Sequence, residues 1–234
     1  MNFIQFSYTT LATSLGFLSV LTVSTSALEI ESTFNTDADG WTIKHFNGVS
    51  EVPNWLSSGG NPGGYIKGTD TIVGGPYFYL APSKFLGDKS SFLGGELSFD
   101  LTVNMFNAPA ATPALLDVVL IGSDSSPTLW FDLSPEPTSD WHSYSIQLDQ
   151  DAGWINLSSS TSATLAQIQN VLSNLTELRI RGDWSTAVGP DTSGLDNVVL
   201  STTNSHQKSI PEPVSVVALG IFALVTLVSY TIPR

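Results

Sequence analysis

The chain has no cysteine among its 234 residues, and it contains few basic residues. Eight Lys and Arg stand against 21 Asp and Glu, which gives a formal net charge of −13 at pH 7. Because disulfides cannot form, packing, a bound metal or both must hold the fold together. Nucleic-acid binding and attraction to anionic lipid both need a basic surface and are therefore disfavoured. The acidity suits divalent cations and solubility outside the cytoplasm.

Motifs of catalytic sites are also missing from the sequence. It contains no G-x-S-x-G, no H-E-x-x-H and no phosphate-binding glycine loop. The three histidines are His45, His142 and His206, and none has a second His or a Cys at metal-ligand spacing. We therefore expect a protein that is not an enzyme. The alternative, an exported glycan hydrolase, would need two carboxylates about 5 to 10 Å apart in a pocket.

The N-terminus carries one of two long apolar segments. It is apolar from about Leu11 to Val23, and Thr25 and Ala27 then occupy the −3 and −1 positions of a cleavage site. This pattern predicts a signal peptide over residues 1–27 that is cleaved after Ala27. No Lys or Arg precedes the apolar run, so an uncleaved anchor is the alternative. In both cases the chain from Leu28 onward is exported.

The second apolar segment, Val214–Ile232, contains no charged residue. As a helix it would be about 28 Å long, close to the roughly 30 Å apolar thickness of a bilayer. A buried helix of a soluble domain is the alternative, but it would normally show a polar face. The sequence thus predicts a membrane-spanning helix over about 214–232, joined to the preceding domain by a polar linker over 201–210.

Residues 211–234 resemble the PEP-CTERM sorting signal of Gram-negative bacteria. The matching residues are Pro211, Glu212 and Pro213, the apolar helix that follows, and the terminal Arg234. The resemblance implies transient anchoring in the inner membrane, processing by an exosortase near the Pro-Glu-Pro turn, and a final location at the cell surface or outside the cell. The usual basic cluster is reduced to Arg234, which weakens the positively charged cytoplasmic anchor.

The region between the ends, residues 28–200, has the pattern of a β domain. Apolar and polar residues alternate in Gly95–Asn104, which is typical of a strand with one buried face. Similar short runs recur between turn residues, whereas Leu165, Ile168, Leu172 and Leu175 follow a helical spacing. One helix near 164–174 among eight or more strands predicts an all-β, antiparallel two-sheet jelly roll.

The segment Tyr77–Leu101 resembles the laminin IV type A, or laminin B, domain. The shared features are an aromatic strand, the run A-P-x-K-F-L-G-D, a Gly-Gly pair and an alternating strand. Later segments, "VLSNLTELRIRGDW" and "SGLDNVVL", match in the same order. The resemblance covers about residues 32–200 and implies a galactose-binding-like jelly roll that serves structure or recognition outside the cell, with no established catalytic set. Animal members sit among cysteine-rich modules, so only the domain is carried over.

A candidate calcium loop lies near the start of the domain. Asn35, Asp37 and Asp39 occupy alternate positions, and Gly40 permits a sharp turn. In galactose-binding-like jelly rolls the first and last strands commonly lie side by side with a calcium nearby, so the resemblance adds Asp196 on the last strand. We expect a structural calcium ion that ties the two ends together. The alternative is a simple turn, with Asp196 pairing a backbone amide.

Loop aromatics form the candidate ligand site. Trp55 and Trp184 lie in loop-like stretches and, with Tyr65, could stack on sugar rings. We therefore expect an exported, non-catalytic surface or matrix protein that binds polysaccharide or another surface protein. The alternative is a purely structural or adhesive envelope component without a small ligand.

The tripeptide Arg181-Gly182-Asp183 matches a known adhesion motif. Arg179 and Arg181 alternate with apolar residues, which indicates the outward face of a strand followed by a turn. An adhesive role for the tripeptide is therefore disfavoured.

Overall fold

The computed structural model describes residues 27–71, 75–104, 116–123, 125–185 and 191–202. Strands dominate this part of the chain, with one α-helix and two short 3-10 turns at Ser83–Phe85 and Ser90–Phe92. In chain order the strands and the helix are β1 Glu29–Ser32, β2 Thr42–His45, β3 Ser50–Glu51, β4 Asn54–Gly60, β5 Gly63–Thr69, β6 Tyr77–Leu80, β7 Glu96–Asn104, β8 Val118–Ile121, β9 Thr128–Phe131, β10 His142–Gln147, β11 Ile155–Asn156, β12 Thr161–Ser162, α1 Leu165–Ser173, β13 Glu177–Arg181 and β14 Thr192–Ser201.

The strands form two antiparallel sheets. A six-stranded sheet has the order β10-β7-β14-β5-β4, with β1 also paired to β14. An eight-stranded sheet has the order β12-β11-β9-β8-β13-β6-β2-β3. The prediction of two antiparallel sheets with one helix is therefore confirmed for the described residues, while the jelly-roll pattern of connections stays a prediction.

One hydrophobic core joins the inner faces of the two sheets. Leu97, Phe99 and Leu101 supply it from β7, as their alternation predicted, and residues such as Ile43 and Ile180 supply it from the eight-stranded sheet. Hydrogen bonds also cross the core. The buried Tyr79 hydroxyl donates to the Ser193 carbonyl at 2.8 Å and accepts from the Gly68 amide at 2.7 Å. The two sheets are thus held together by specific polar contacts as well as by apolar burial.

Strand β14 is flanked along its whole length. Strand β7 pairs with one side, whereas β5 pairs with its first half, Thr192–Leu195, and β1 with its second half, Val198–Ser201. The register shifts between Asp196 and Val199, where Asn197 has a φ of 47°. This bulge lies where the neighbour of β14 changes from β5 to β1. The first and last strands of the domain are therefore adjacent, as the resemblance implied.

The predicted helix is present as α1. Thr164 caps it: its hydroxyl accepts from the Gln167 amide, and the Gln167 side chain accepts from the Thr164 amide at 2.9 Å. Its buried residues are Ile168, Val171 and Leu172. Leu165, which belonged to the predicted stripe, is exposed. It is the first residue of the helix, and the buried residues begin one turn later, at Ile168.

The membrane prediction concerns residues outside the described part. No helix within the described ranges is long and apolar enough to cross a bilayer. The segments 1–26 and 203–234, which carry most of the predicted signal peptide and all of the sorting signal, lie beyond these ranges. Ala27, the predicted cleavage residue, is the first described residue and lies two positions before β1.

Candidate functional site

The outer face of the six-stranded sheet carries a pair of half-exposed aromatic rings. Tyr65 lies on β5, and Trp141 directly precedes β10 at the opposite side of the sheet. Their ring centroids are 5.4 Å apart with an interplanar angle of 86°, which is the edge-to-face arrangement favoured by aromatic quadrupoles. The Trp141 Nε1 donates to the Gly59 carbonyl of β4 at 3.1 Å. The indole is therefore fixed across the intervening strands β7, β14 and β5.

Gly194 on β14 provides the space for this pair. A Cβ atom at this position would lie 2.9 Å from Trp141 Cη2, 2.9 Å from Thr102 Cγ2 and 3.0 Å from Tyr65 Cδ2. Real Cβ atoms essentially never approach other atoms more closely than 3.0 Å, so a side chain here would displace the rings. A glycine inside a strand often marks such a close approach, and this was the signal in the sequence that could have revealed Trp141.

A buried polar network lies beside the aromatic pair, at the bulge of β14. The two carboxylate oxygens of Asp196 accept from the backbone amides of Asn61 and Asn197, both at 2.7 Å. The Asn197 side-chain amide donates to Asp100 at 2.8 Å and to the Asn61 carbonyl at 2.6 Å. Ser143 donates to the other oxygen of Asp100 at 2.5 Å. This network fixes the turn between β4 and β5, and with it Gly59, the acceptor for the indole.

Burial is the main reason why Asp196 is a weaker acid than an ordinary aspartate. Its side chain is 0% exposed, and the loss of solvation raises its pKa to about 6. The two backbone amides oppose this shift, whereas the nearby Asp100 carboxylate adds to it. Asp196 pairs backbone amides here, which is the arrangement expected under the simple-turn alternative.

The structure separates the three residues of the predicted aromatic platform. Tyr65 lies on the outer face, but Trp55 pairs with the core residue Ile66, is half-buried against the core, and donates its Nε1 to the Phe34 carbonyl at 2.7 Å. Trp184 is 1% exposed. Its ring lies 4.4 Å from the Arg181 guanidinium. The placement of Trp184 in a sugar-stacking platform is therefore corrected, because no face of this ring is open to a ligand.

The residues of the predicted calcium loop make contacts within the protein. The Asp37 carboxylate accepts from the Asp39 amide at 2.7 Å, which closes a local turn. Asp39 pairs with the Lys84 ammonium group and accepts from Ser32 at 2.7 Å. Asn35 donates its side-chain amide to Thr33 at 3.1 Å. Calcium at this loop would compete with Lys84 and Ser32 for the Asp39 carboxylate, and the calcium site stays a prediction.

Three other carboxylates, which the sequence did not single out, come together in the fold. Within the described ranges, oxygens of Asp70, Asp183 and Asp191 lie within 4.8 Å of one another. The Asp70 amide donates to the Asp191 carbonyl at 2.7 Å, which joins the end of β5 to the residue that precedes β14. Burial and the two neighbouring carboxylates raise the pKa of Asp183 to about 6. Asp70 lies more than 100 positions from the other two along the sequence, so their proximity could not be predicted from it.

Arg181 is buried, although the sequence indicated an outward-facing residue. It is 1% exposed and forms an ion pair with Asp117 at 3.2 Å, also buried. Its Nε donates to the Asp183 carbonyl at 2.5 Å. The prediction of a solvent-facing Arg181 was therefore wrong, because Asp117 and Trp184 cover it. The same burial removes the tripeptide Arg181–Asp183 from contact with a receptor.

A polar cavity of about 320 Å³ lies along β10. The segment Phe131–Pro135 forms one side and the residues His142–Ile146 form the other. Asp132 is the carboxylate-bearing residue of its lining. A glycan hydrolase of the usual kind uses a pair of carboxylates, so this lining gives no support to the hydrolase alternative.

Comparison with known proteins gives a consistent set of similarities. The model of the Laminin B (Domain IV) family matches residues 78–217. The laminin subunit gamma-2 of Homo sapiens is 30% identical over 195 residues, which cover 75% of this chain and 14% of that protein. The human laminin subunit gamma-1 is 28% identical over 179 residues, covering 73% of this chain and 10% of that protein. The chain thus spans only a small part of the length of these curated relatives.

Among solved structures, the L4b domain of human laminin alpha-2 has a similar fold. The TM-score is 0.59 at 12% sequence identity, and the match covers 76% of this chain and 98% of that domain. At this identity the likeness concerns the fold alone. The similarity therefore extends over almost the whole of an independently solved domain.

Proposed function

The chain belongs to the Laminin B (Domain IV) family, and from this premise we propose that it is an exported, non-catalytic surface protein whose β domain binds polysaccharide. The relatives are laminin subunits, so an extracellular adhesive or structural role fits the family. The finer proposal, a carbohydrate ligand, rests on the outer face of the six-stranded sheet. The observation that carries it is the half-exposed Tyr65–Trp141 pair, which is held in place by Gly59 and Gly194.

Aromatic rings and polar groups together suit a sugar. The apolar face of a pyranose ring packs on an aromatic ring, while its hydroxyls need fixed donors and acceptors beside that ring. The Tyr65–Trp141 pair supplies the rings, and Thr102 and Lys67 place a hydroxyl and an ammonium group on the same face. Because the hydrogen bond from Trp141 fixes the indole before a ligand arrives, little entropy is lost on binding.

Affinity electrophoresis of the exported domain in gels with neutral polysaccharides tests this proposal. Trp141→Ala and Tyr65→Ala should each weaken retardation by about tenfold, since aromatic stacking contributes on the order of 1–1.5 kcal/mol beyond area burial. Leu157→Ala is the control, because it removes an exposed apolar side chain next to β11 of the other sheet. If the wild type is not retarded by any neutral glycan, or if Leu157→Ala has the same effect, the sugar site is wrong.

The second candidate is a purely structural or adhesive component that binds another surface protein. The similarity to laminin subunits, whose role is adhesive, favours it. Crosslinking on intact cells separates the candidates: a protein partner lost in Trp141→Ala, together with no glycan retardation, would favour protein recognition at the same face. The electrophoresis samples should also be assayed for newly formed reducing ends, which would reveal hydrolysis.

We further propose that residues 211–234 act as a sorting signal read by an exosortase. The support is the order of Pro211, Glu212, Pro213, an uncharged apolar run and Arg234 in the sequence. Intact-mass measurement of the mature extracellular protein should show one cut after Ala27 and another near Pro211. Peptides from Val214 onward in extracellular material would contradict the second cut, and Glu212→Ala should retain the protein in the membrane fraction.

A further inference from the structure

The outer face of the eight-stranded sheet holds a second, smaller cavity with two cations at its margin. Its volume is about 240 Å³, and its lining includes Lys44 from β2, Phe78 and Leu80 from β6, and Arg179 from β13. Strand pairing aligns these residues, because Lys44 lies opposite Phe78 and Arg179 lies opposite Leu80. The cavity therefore has an apolar floor between two positive groups.

A single carboxylate, that of Glu177, is shared between the two cations. Arg179 approaches one Glu177 oxygen through Nη2 at 2.5 Å and through Nε at 2.6 Å, whereas Lys44 Nζ lies 3.5 Å from the other oxygen. The three side chains are 37% (Lys44), 26% (Arg179) and 30% (Glu177) exposed, so water and ligands can reach them. Two cations against one anion leave a local excess of positive charge in a chain whose net charge is −13. Lys44, with its longer contact, can turn to a second carboxylate at little cost.

An exposed aromatic ring completes the cavity. Phe46 lies in the turn between β2 and β3, lines the cavity and is 56% exposed, although large apolar side chains are normally covered. His45 also borders the cavity, but its ring lies on the inner face of β2, 5.7 Å from the buried Tyr77 ring, and its Nε2 contacts Glu51 at 3.2 Å.

We propose that this cavity binds the carboxylate-bearing ring of a uronic acid within an acidic polysaccharide. The ring would pack on Phe78 and Phe46, and its carboxylate would bind Arg179 and Lys44. The contact between Arg179 and Glu177 already shows that this guanidinium can donate to a carboxylate in this orientation. The cavity volume lies below the usual range for drug-sized ligands, which favours one sugar ring over a helix or a strand of a partner protein.

This site goes beyond the proposed neutral-sugar site, because it lies on the other sheet and uses different residues. The net negative charge of the domain repels a polyanion at long range, but the Debye length at 0.1 M salt is only about 10 Å. Attraction at the site should therefore dominate at ordinary ionic strength. The two proposals can fail separately, since Trp141→Ala should leave binding at this cavity intact.

The test measures the retardation of the full exported domain in gels that contain polygalacturonate, dextran or dextran sulfate. Arg179→Gln and Lys44→Gln should each weaken retardation by polygalacturonate about tenfold, the loss expected for a charge-assisted hydrogen bond. Lys84→Gln, which removes a partly exposed cation that belongs to neither proposed sugar site, should have no effect. Phe46→Ala should also weaken binding, and because this ring is exposed the variant should fold normally.

Several results would overturn the proposal. One is retardation by polygalacturonate that survives both cation variants, and another is an equal loss in Lys84→Gln. Equal retardation by dextran sulfate would mean that charge alone attracts the polymer, without recognition of a carboxylate. Displacement of polygalacturonate by polyglutamate at equal carboxylate concentration would mean that the cavity recognises an acidic peptide and not a sugar. Thermal midpoints of all variants within about 2 °C of the wild type would exclude misfolding as the cause.

Discussion

Gly194→Ala should impair glycan binding more than it impairs stability. The added methyl group would lie 2.9 Å from the Trp141 ring and 3.0 Å from the Tyr65 ring, so both rings must move. Overpacking of this kind costs about 1–3 kcal/mol, whereas replacing a glycine by alanine gains about 0.4–1 kcal/mol by restricting the unfolded chain. The rings are half-exposed and can rotate outward, which places the cost at the lower end. The net loss should be about 0.5 kcal/mol.

This loss corresponds to a decrease of about 1–2 °C in the midpoint of thermal unfolding for a domain of this size. Moving Trp141 also breaks its hydrogen bond to the Gly59 carbonyl, so the near-ultraviolet circular dichroism should change. Retardation by neutral glycans should decrease at least as much as in Tyr65→Ala. Both measurements are made on the same purified protein below its unfolding transition.

Gly68→Ala is the matched comparison, because its methyl group would lie 2.5 Å from the buried Tyr77 ring. That ring is enclosed in the core and cannot rotate away, so the loss of stability should be larger, while the binding face stays intact. If Gly194→Ala leaves both the dichroism and the retardation unchanged, the rings are not fixed by the contact described. If Gly68→Ala reduces binding equally, the effect follows stability and the argument fails.

Three further predictions concern stability. Burial raises the pKa values of Asp183 and Asp196 to about 6, above the value of about 3.9 for an unfolded chain. The folded state therefore binds these protons more tightly. The resulting contribution to the free energy of unfolding is full below about pH 4 and is lost as the pH rises through 6. The urea midpoint should therefore increase from pH 7.5 to pH 5, and a decrease would contradict this. Calcium should raise the thermal midpoint in a manner reversed by chelator and abolished by Asp37→Asn with Asp39→Asn; an equal midpoint in both conditions would exclude the loop site. Thr164→Ala should cost about 1 kcal/mol by removing the helix cap, measured by urea unfolding.

The elements of the fold followed from local patterns in the sequence. Alternation placed Leu97 and Phe99 in the core, and the 3-4-3 spacing identified α1, because both patterns depend only on neighbours along the chain. The burial of Asp100 could not be predicted in this way. Its cover comes from Ser143 and Asn197, which the fold brings from distant segments.

The candidate site was predictable only in part for the same reason. Tyr65 was identified, but its partner Trp141 meets it only because β10 and β5 belong to one sheet. Trp184 lies in a stretch with the composition of a loop, yet Arg181 and the core enclose it. Exposure of an aromatic residue is a property of tertiary packing, and the residue types around it in the sequence do not determine it.

The position of β14 has a mechanical consequence. A pulling force that enters the domain at Thr202 acts along the axis of this strand, which is bonded to β7 on one side and to β5 and β1 on the other. Both rows of hydrogen bonds then carry the load together in shear. A force between Leu28 and Thr202 would instead peel β1 away one pair at a time, because Glu29 and Ser201 are direct neighbours. A domain pulled between its C-terminal end and a ligand bound to its surface should therefore withstand much greater tension than one stretched between its two ends.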